Sequence, residues 1–320
     1  MLVVLLTGAI DISLGQIFST DLNQFSRDVI LQIRLPRILI AIAAGGGLAV
    51  SGLLLQTWFK NQLADPFLLG IHSGASLGVV FYVLGLSTFF SNYQVLEESG
   101  MLIFGVIGAL FSLGLILIIS ARFSGPIYII IFGVVLSFFI TGVINLILSF
   151  SSSEDLKHFF LWSLGSFDRI STYQSAFILF VIICLVINLY RYSRDLNLCL
   201  LGEDYAKESG VDLRLLRKVL IPSIGVISGL ISVYCGPVIF VGLMAPHLTR
   251  MIYLTSNHRV LIPASFILGA VLCLLVTFFS NGYLLGISVP VNALLGLIGT
   301  PFVLILLIKT NSVTSGGNHV

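Results

Sequence analysis

Apolar and charged positions segregate along this chain into long blocks. Between Ile38 and Phe59 no residue carries a charge. As a helix that stretch is about 33 Å long at 1.5 Å per residue, enough to cross a hydrocarbon core of roughly 30 Å. Arg34, Pro36 and Arg37 precede it, and Lys60 with the polar break Gln62 to Pro66 follows it. The pattern recurs, and hydropathy predicts ten apolar segments. The first, Met1 to about Ile10, is too short to span and soon meets Asp11, so the sequence either begins inside its first helix or carries a stub there. The second covers about Leu35 to Phe59, the third Pro66 to Leu86, the fourth Met101 to Ala121 and the fifth Pro126 to Phe150. After a half-apolar connector the sixth runs from Ser175 to Tyr190, the seventh from Val219 to Cys235 and the eighth from Val238 to Leu254. The ninth is Leu261 to Ser280 and the tenth Val291 to Ile308, with a polar tail from Lys309 to Val320.

The expectation is an all-α polytopic membrane protein, one domain over residues 1–320, with about ten transmembrane helices of which the first is short. Five segments on either side of the Ser151 to Phe167 connector would insert in opposite senses, as an inverted repeat does. Composition supports a bilayer setting. Residues are 57% hydrophobic and 9% charged, against about 25% charged in ordinary soluble domains, and mean hydropathy is +1.09. A net charge of +2 with no basic run longer than two residues gives no footing for nucleic acid. Cys184, Cys199, Cys235 and Cys273 are scattered singly and read as small hydrophobes, not as metal ligands or a disulfide framework.

The positive-inside rule sets an orientation. With a cytoplasmic N-terminus and ten crossings, eleven basic residues face the cytoplasm, among them Lys60, Arg191, Lys207, Arg217 and Arg250. Five face the other side: Arg27, Arg34, Arg37, Lys157 and Arg169. Both termini are then cytoplasmic, as is the long hydrophilic segment 191–218. Arg34 and Arg37 break the trend and need a reason to be outside.

No catalytic constellation and no metal cluster is evident, and the five histidines lie far apart. His72 and His247 fall near the predicted cytoplasmic ends of helices three and eight, where a structural hydrogen bond is the simpler role. Gly70, Gly74 and Gly78 form GxxxGxxxG, the pattern of closely packed membrane helices. Ion-coupled transporters keep ionisable groups at mid-membrane, and here the interior is nearly without them, which points to energy supplied by another polypeptide. The segment Leu196 to Leu220 reads as a short amphipathic helix, Glu203 to Ser209, ended by Gly210, with a second helix leading into the seventh crossing. It is either a solvated linker or a docking element, and its Gly–helix–Gly layout favours docking.

Eight stretches in order resemble the permease family of type II ABC importers for iron-siderophores, haem and cobalamin. They are RLPR (Arg34 to Arg37), NQLADP (Asn61 to Pro66), LGIHSGASLG (Leu69 to Gly78), WSLGSF (Trp162 to Phe167), LNLCLLGEDYAKESGV (Leu196 to Val211), GPVIFVGLMAPHLTR (Gly236 to Arg250), NHRVLIPAS (Asn257 to Ser265) and GLIGTPFVLILL (Gly296 to Leu307). The resemblance implies a homodimer in a bacterial inner membrane, with a substrate path along the two-fold axis bordered by helices five and ten. It implies two cytoplasmic ATPase subunits, which would hold ATP and Mg, on a coupling element of Leu201, Gly202, Glu203, Ala206, Gly210 and Val211. A periplasmic or lipid-anchored substrate-binding protein would dock on Arg34 and Arg37. Asn61, Leu63, Pro126 and Ile127 would form the cytoplasmic gate, and the chain itself would bind no cofactor or metal. Departures are Gln62 in place of a proline, and Thr277, Asn281 and Ser288 where the family carries charged residues. An ATPase-independent secondary transporter or channel is the alternative reading, and a structural membrane subunit a third.

Overall fold

In a computed structural model, residues 24–86, 94–120, 122–123, 126–168, 170–280 and 288–315 are described. The first apolar segment, Met1 to Ile10, and Asn281 lie outside them. The described residues form helices joined by turns. These are α1 (Gln24–Val29), α2 (Leu35–Trp58), α3 (Ile71–Phe81), α4 (Gln94–Ser120), α5 (Pro126–Ser149), α6 (Ser153–Ser163), α7 (Thr172–Arg191), α8 (Ser193–Leu200), α9 (Glu203–Glu208), α10 (Leu213–Cys235), α11 (Val241–Tyr253), α12 (His258–Ser280) and α13 (Val291–Ser315). A π-turn, Ile30–Arg34, joins α1 to α2 without a break, and a second, Tyr82–Leu86, extends α3.

Among the described residues six helical stretches are long and apolar enough to cross a membrane: Arg27–Trp58, Gly100–Ile119, Tyr128–Ser149, Thr172–Arg191, Leu213–Cys235 and His258–Ser280. Ile71–Leu84 and Val291–Leu306 are shorter apolar helices. The third and eighth apolar runs therefore differ from their expected form. Residues 66–70 wind through turns, because Pro66 offers no N–H and Gly70 takes the left-handed φ of +75°. The eighth run is helical only over the 13 residues of α11, about 20 Å, after positive φ angles at Gly236 and Phe240. The connector, by contrast, folds as α6, opened by a capping box in which Ser152 and Asp155 satisfy each other's backbone N–H.

α2 is the axis of the subunit. Gly45 meets the carbonyl of Gly269 on α12, where an added Cβ would stand 2.1 Å from that oxygen, and Gly52 meets Gly242 on α11 at 1.9 Å. Gly74 and Gly78 face Gly108 and the Phe104 carbonyl of α4 in the same manner, while Gly70 turns against Gly133 and Ser137 of α5. Lipid tails are as apolar as leucine, so helices in a bilayer associate through this close backbone contact. At the end of the molecule where α2 begins, Trp162 of α6 donates its indole N–H to the Val233 carbonyl of α10 at 3.0 Å. There Asn292 of α13 also donates to the carbonyls of Ser163 (3.1 Å) and Pro237 (2.7 Å).

Candidate functional site

The segment expected to couple to an ATPase, residues 201–211, is built from local rules. α9 is two turns at most, and it ends in a Schellman turn: the Val211 N–H reaches the Ala206 carbonyl at 3.0 Å and the Gly210 N–H the Lys207 carbonyl at 3.0 Å. That turn demands the left-handed φ of +85° that Gly210 adopts. Ala206 and Val211 are buried and pin the turn to the protein. Outward face Glu203 and Asp204, with Leu201 and Tyr205, which are 67% and 51% exposed. Asp204 pairs with Lys207 at 3.2 Å. Gly202 precedes the helix at φ +128°, with nothing within 4 Å of the position a Cβ would take. Asp212 then caps α10 by accepting from the N–H groups of Arg214 (2.9 Å) and Leu215 (3.0 Å). Burial, and behind it the carboxylates of Asp195 and Glu203, push the Cys199 thiol above its ordinary range.

Next to this segment lies the turn that follows α2. Lys60 sits at φ +49°, the Asn61 N–H returns to the Gln56 carbonyl at 3.0 Å, and Asn61 Oδ1 accepts from the Leu63 N–H at 2.9 Å. Asn61 and Leu63 are half-buried. A cavity of about 290 Å³ opens between turn and coupling segment, lined by Gln56, Asn61, Gln62, Leu200, Arg250 and His258. Arg250 donates through Nη1 to Gln56 Oε1 at 2.6 Å. Pro126 and Ile127 open α5; their side chains lie outside the described residues.

Sequence reasoning passed over two features here. Asp65, 2% exposed, accepts from the N–H of Phe67 at 2.7 Å and from those of Leu68 and Leu243, stitching the turn to the start of α11. His258, at the start of α12, contacts both Thr57 of α2 and Asn197 of α8. Each residue lay inside a quoted stretch, but Leu243, Thr57 and Asn197 are too distant in sequence for any local pattern to join them to Asp65 or His258.

The arginine doublet occupies the other end of α2, about 30 Å away at 1.5 Å per residue. Arg34 is buried in the π-turn, and Arg37, largely shielded, forms an ion pair with Asp168 after α6. Thr172 donates to the Leu31 carbonyl at 2.6 Å, fastening the same region to α7. Thus the doublet and residues 201–211 stand at opposite ends of α2. Thr277 is buried and bonded to the Cys273 carbonyl at 2.6 Å. His72 lies in the first turn of α3, but away from the end of the molecule that carries residues 201–211. Its Nδ1 meets Ser232 near the far end of α10, because α3 starts only after the turns at 66–70.

On α5, Ser137, Thr141 and Asn145 recur every four residues and line a cavity of about 450 Å³ with Ser73, Ser76 and Trp162. Phe138 borders the same cavity, while Phe139 is exposed beside it.

Comparison with known proteins gives consistent results. A vitamin B12 import system permease protein, BtuC, of Yersinia pseudotuberculosis is 32% identical over 98% of this chain and 92% of its own length. A chain of Methanocaldococcus jannaschii assigned as an ABC transporter permease is 31% identical over 90% of this chain and 85% of its own. A solved inward-facing transporter assigned to the metal-chelate ABC type superposes with a TM-score of 0.81 at 28% identity, over 96% of this chain and 94% of that one. The PsaBC structure from Streptococcus pneumoniae, at 18% identity and a TM-score of 0.56 over 91% and 94% of the two chains, shares the fold. Since the model of the FecCD transport family matches residues 1–309, the chain belongs to that family, the permease subunits of type II ABC importers.

Proposed function

We propose that this permease carries a metal chelate inward, a ferric siderophore first and haem or cobalamin next, as a homodimer driven by two ATPase subunits. The observation that carries the reading is the coupling segment. α9 is too short to stand alone in water, yet Ala206 and Val211 fix it from beneath while Leu201, Glu203 and Tyr205 are offered to solvent. Exposed leucine and tyrosine beside carboxylates suit a protein partner. ATP and Mg would be held by the ATPase subunits, and this chain would bind no cofactor. The relatives' names, one of them a vitamin B12 permease, support the substrate class.

Asn61, Leu63, Pro126 and Ile127 would close the path toward the cytoplasm, where both termini lie in this reading, in a bacterial inner membrane. The groove beside Ser137, Thr141 and Asn145 suits a weakly binding passage for a polar chelate. A substrate-binding protein would approach the opposite end and compete with Asp168 for Arg37.

The test is uptake of labelled ferric siderophore, haem and cobalamin by cells lacking the chain and complemented with variants, together with copurification of the ATPase. Leu201→Asp with Tyr205→Ala is expected to release the ATPase and stop uptake while the permease still accumulates. Retained ATPase, or ATP-independent uphill transport by the chain alone, would refute the reading. Arg37→Asp with Asp168→Arg restores the ion pair with its charges exchanged, and is expected to fold yet fail in uptake. Normal uptake by that pair removes the docking assignment.

A further inference from the structure

We propose that His258 is a positioning residue that ties the coupling segment to the gate turn through Thr57 and Asn197, so that the two move as one body. The inference rests on the reading of residues 201–211 as the ATPase seat.

The tie is made by four side chains from three helices and a loop. Asn197 of α8 gives its Nδ2–H to Asn257 Oδ1 at 2.9 Å, which fixes the amide so that Oδ1 faces His258. That oxygen accepts from the His258 backbone N–H at 2.8 Å and faces its Nδ1 at 2.8 Å. Nδ1 must therefore carry the proton of a neutral imidazole, leaving Nε2 as an acceptor. Nε2 lies 2.7 Å from Thr57 Oγ1, whose one proton reaches Nε2 in one hydroxyl rotamer and the Leu53 carbonyl, at 2.9 Å, in the other. His258 is 1% and Thr57 4% exposed, so the bond between them is shielded on all sides but the cavity they line.

Both ends of the tie are rigidly extended. From Asn197, α8 runs into α9 through Leu201 N–H to the Leu198 carbonyl at 3.1 Å and Gly202 N–H to the Cys199 carbonyl at 3.2 Å. From Thr57, the turn hangs on the last coil of α2, with Lys60 N–H on the Thr57 carbonyl at 3.3 Å and Asn61 N–H on the Gln56 carbonyl at 3.0 Å. Capping α12 needs Asn197 and the His258 backbone only. The imidazole bond to Thr57 adds nothing to the cap, and it is the one link of the set that reaches the gate turn. A displacement of α9 then reaches Asn61 by a chain of hydrogen bonds whose His258–Thr57 step is buried.

Two measurements test this. In the reconstituted transporter with its ATPase and binding protein, Thr57→Val removes one hydroxyl at constant shape. It is expected to keep the ATPase bound and to lower substrate moved per ATP about fivefold, the value of one lost hydrogen bond, with Thr57→Ser restoring it. A wild-type transport ratio in Thr57→Val overturns the proposal. The second measurement uses the permease alone, with spin labels on Leu201→Cys and Gln62→Cys in a Cys184→Ala background. A narrow distance distribution that broadens in Thr57→Val supports the tie, and an unchanged width overturns it. If the ATPase fails to bind the wild-type chain, the seat assignment falls, while the spin-label distance still decides the tie.

Discussion

α2 and α5 are apolar helices of equal length, 24 residues each, and their fates are opposite. α2 is buried from Ala43 to Thr57 without interruption, whereas α5 leaves Phe138 73% and Phe139 69% exposed. The more bulky helix is the bare one. In water the larger apolar side chains would be hidden first; in lipid that drive is absent, and what selects the interior is how closely backbones approach. α2 supplies Gly45, Gly46, Gly47 and Gly52 to four neighbours, and it also tolerates buried Ser51, Gln56 and Thr57 because partners lie within hydrogen-bond reach or the groups are small.

The largest expected effect comes from filling the closest of those contacts. Gly52→Leu puts a side chain where even a Cβ would stand 1.9 Å from the Gly242 carbonyl. Backbone cannot yield that far, so a loss of about 3 kcal/mol or more is expected, read as failure to recover monodisperse protein in detergent. Normal thermal stability in this variant would mean that α2 is not clamped and that the contrast with α5 is one of lipid exposure alone.

Asp65 comes next. It holds the turn after α2 to the start of α11 by three backbone N–H groups, and its Oδ2 lies 2.6 Å from where a Cβ on Gly242 would be. Asp65→Ala strands those donors and is expected to cost about 2 kcal/mol. Asp65→Asn keeps the accepting oxygen and should recover most of it in a thermal-shift series. Equal losses in the two would show that the site needs the charge and not the acceptor.

How far the sequence could be read follows the same division. The apolar blocks and α9, expected over Glu203 to Ser209 and found over Glu203–Glu208, depend on residues within a few positions of one another. So do Gly74 and Gly78, whose spacing places them on one face against α4. α6 could have been read from Ser152 and Asp155, but its apolar content is too low for a hydropathy window. The half-length of α11 was illegible. Gly236 to Phe240 is as apolar as the helices around it, and what ends the helix there is a positive φ at Gly236, where a Cβ would meet the Trp162 carbonyl at 2.4 Å. The tie through His258 spans 201 residues to Thr57, beyond any local signal.

A smaller effect belongs to Gly210. Its left-handed φ of +85° has open space around it, so Gly210→Ala meets no clash and only the conformational cost of about 1 kcal/mol. The Schellman turn should loosen and α9 fray, seen as faster amide exchange at Ala206 and Val211 with the melting temperature of the whole subunit nearly unchanged. Unaltered exchange would place the stability of α9 in its buried contacts and not in its turn.

The smallest effect sharpens the account of α5. Gly142 has nothing within 4 Å of its Cβ position and lies between the exposed Phe139 and Leu146. Within one subunit Gly142→Leu therefore changes no contact, and a stability change within about 0.5 kcal/mol is expected. If this face meets only lipid, the variant should also sediment as the wild type does. If it borders the second subunit of the proposed homodimer, a leucine there meets another backbone, and dimer is lost in detergent while monomer stability holds. The same substitution thus separates two reasons for bulk on α5: contact with acyl chains, where size is indifferent, and contact with a second copy, where the glycine is the feature that lets it approach.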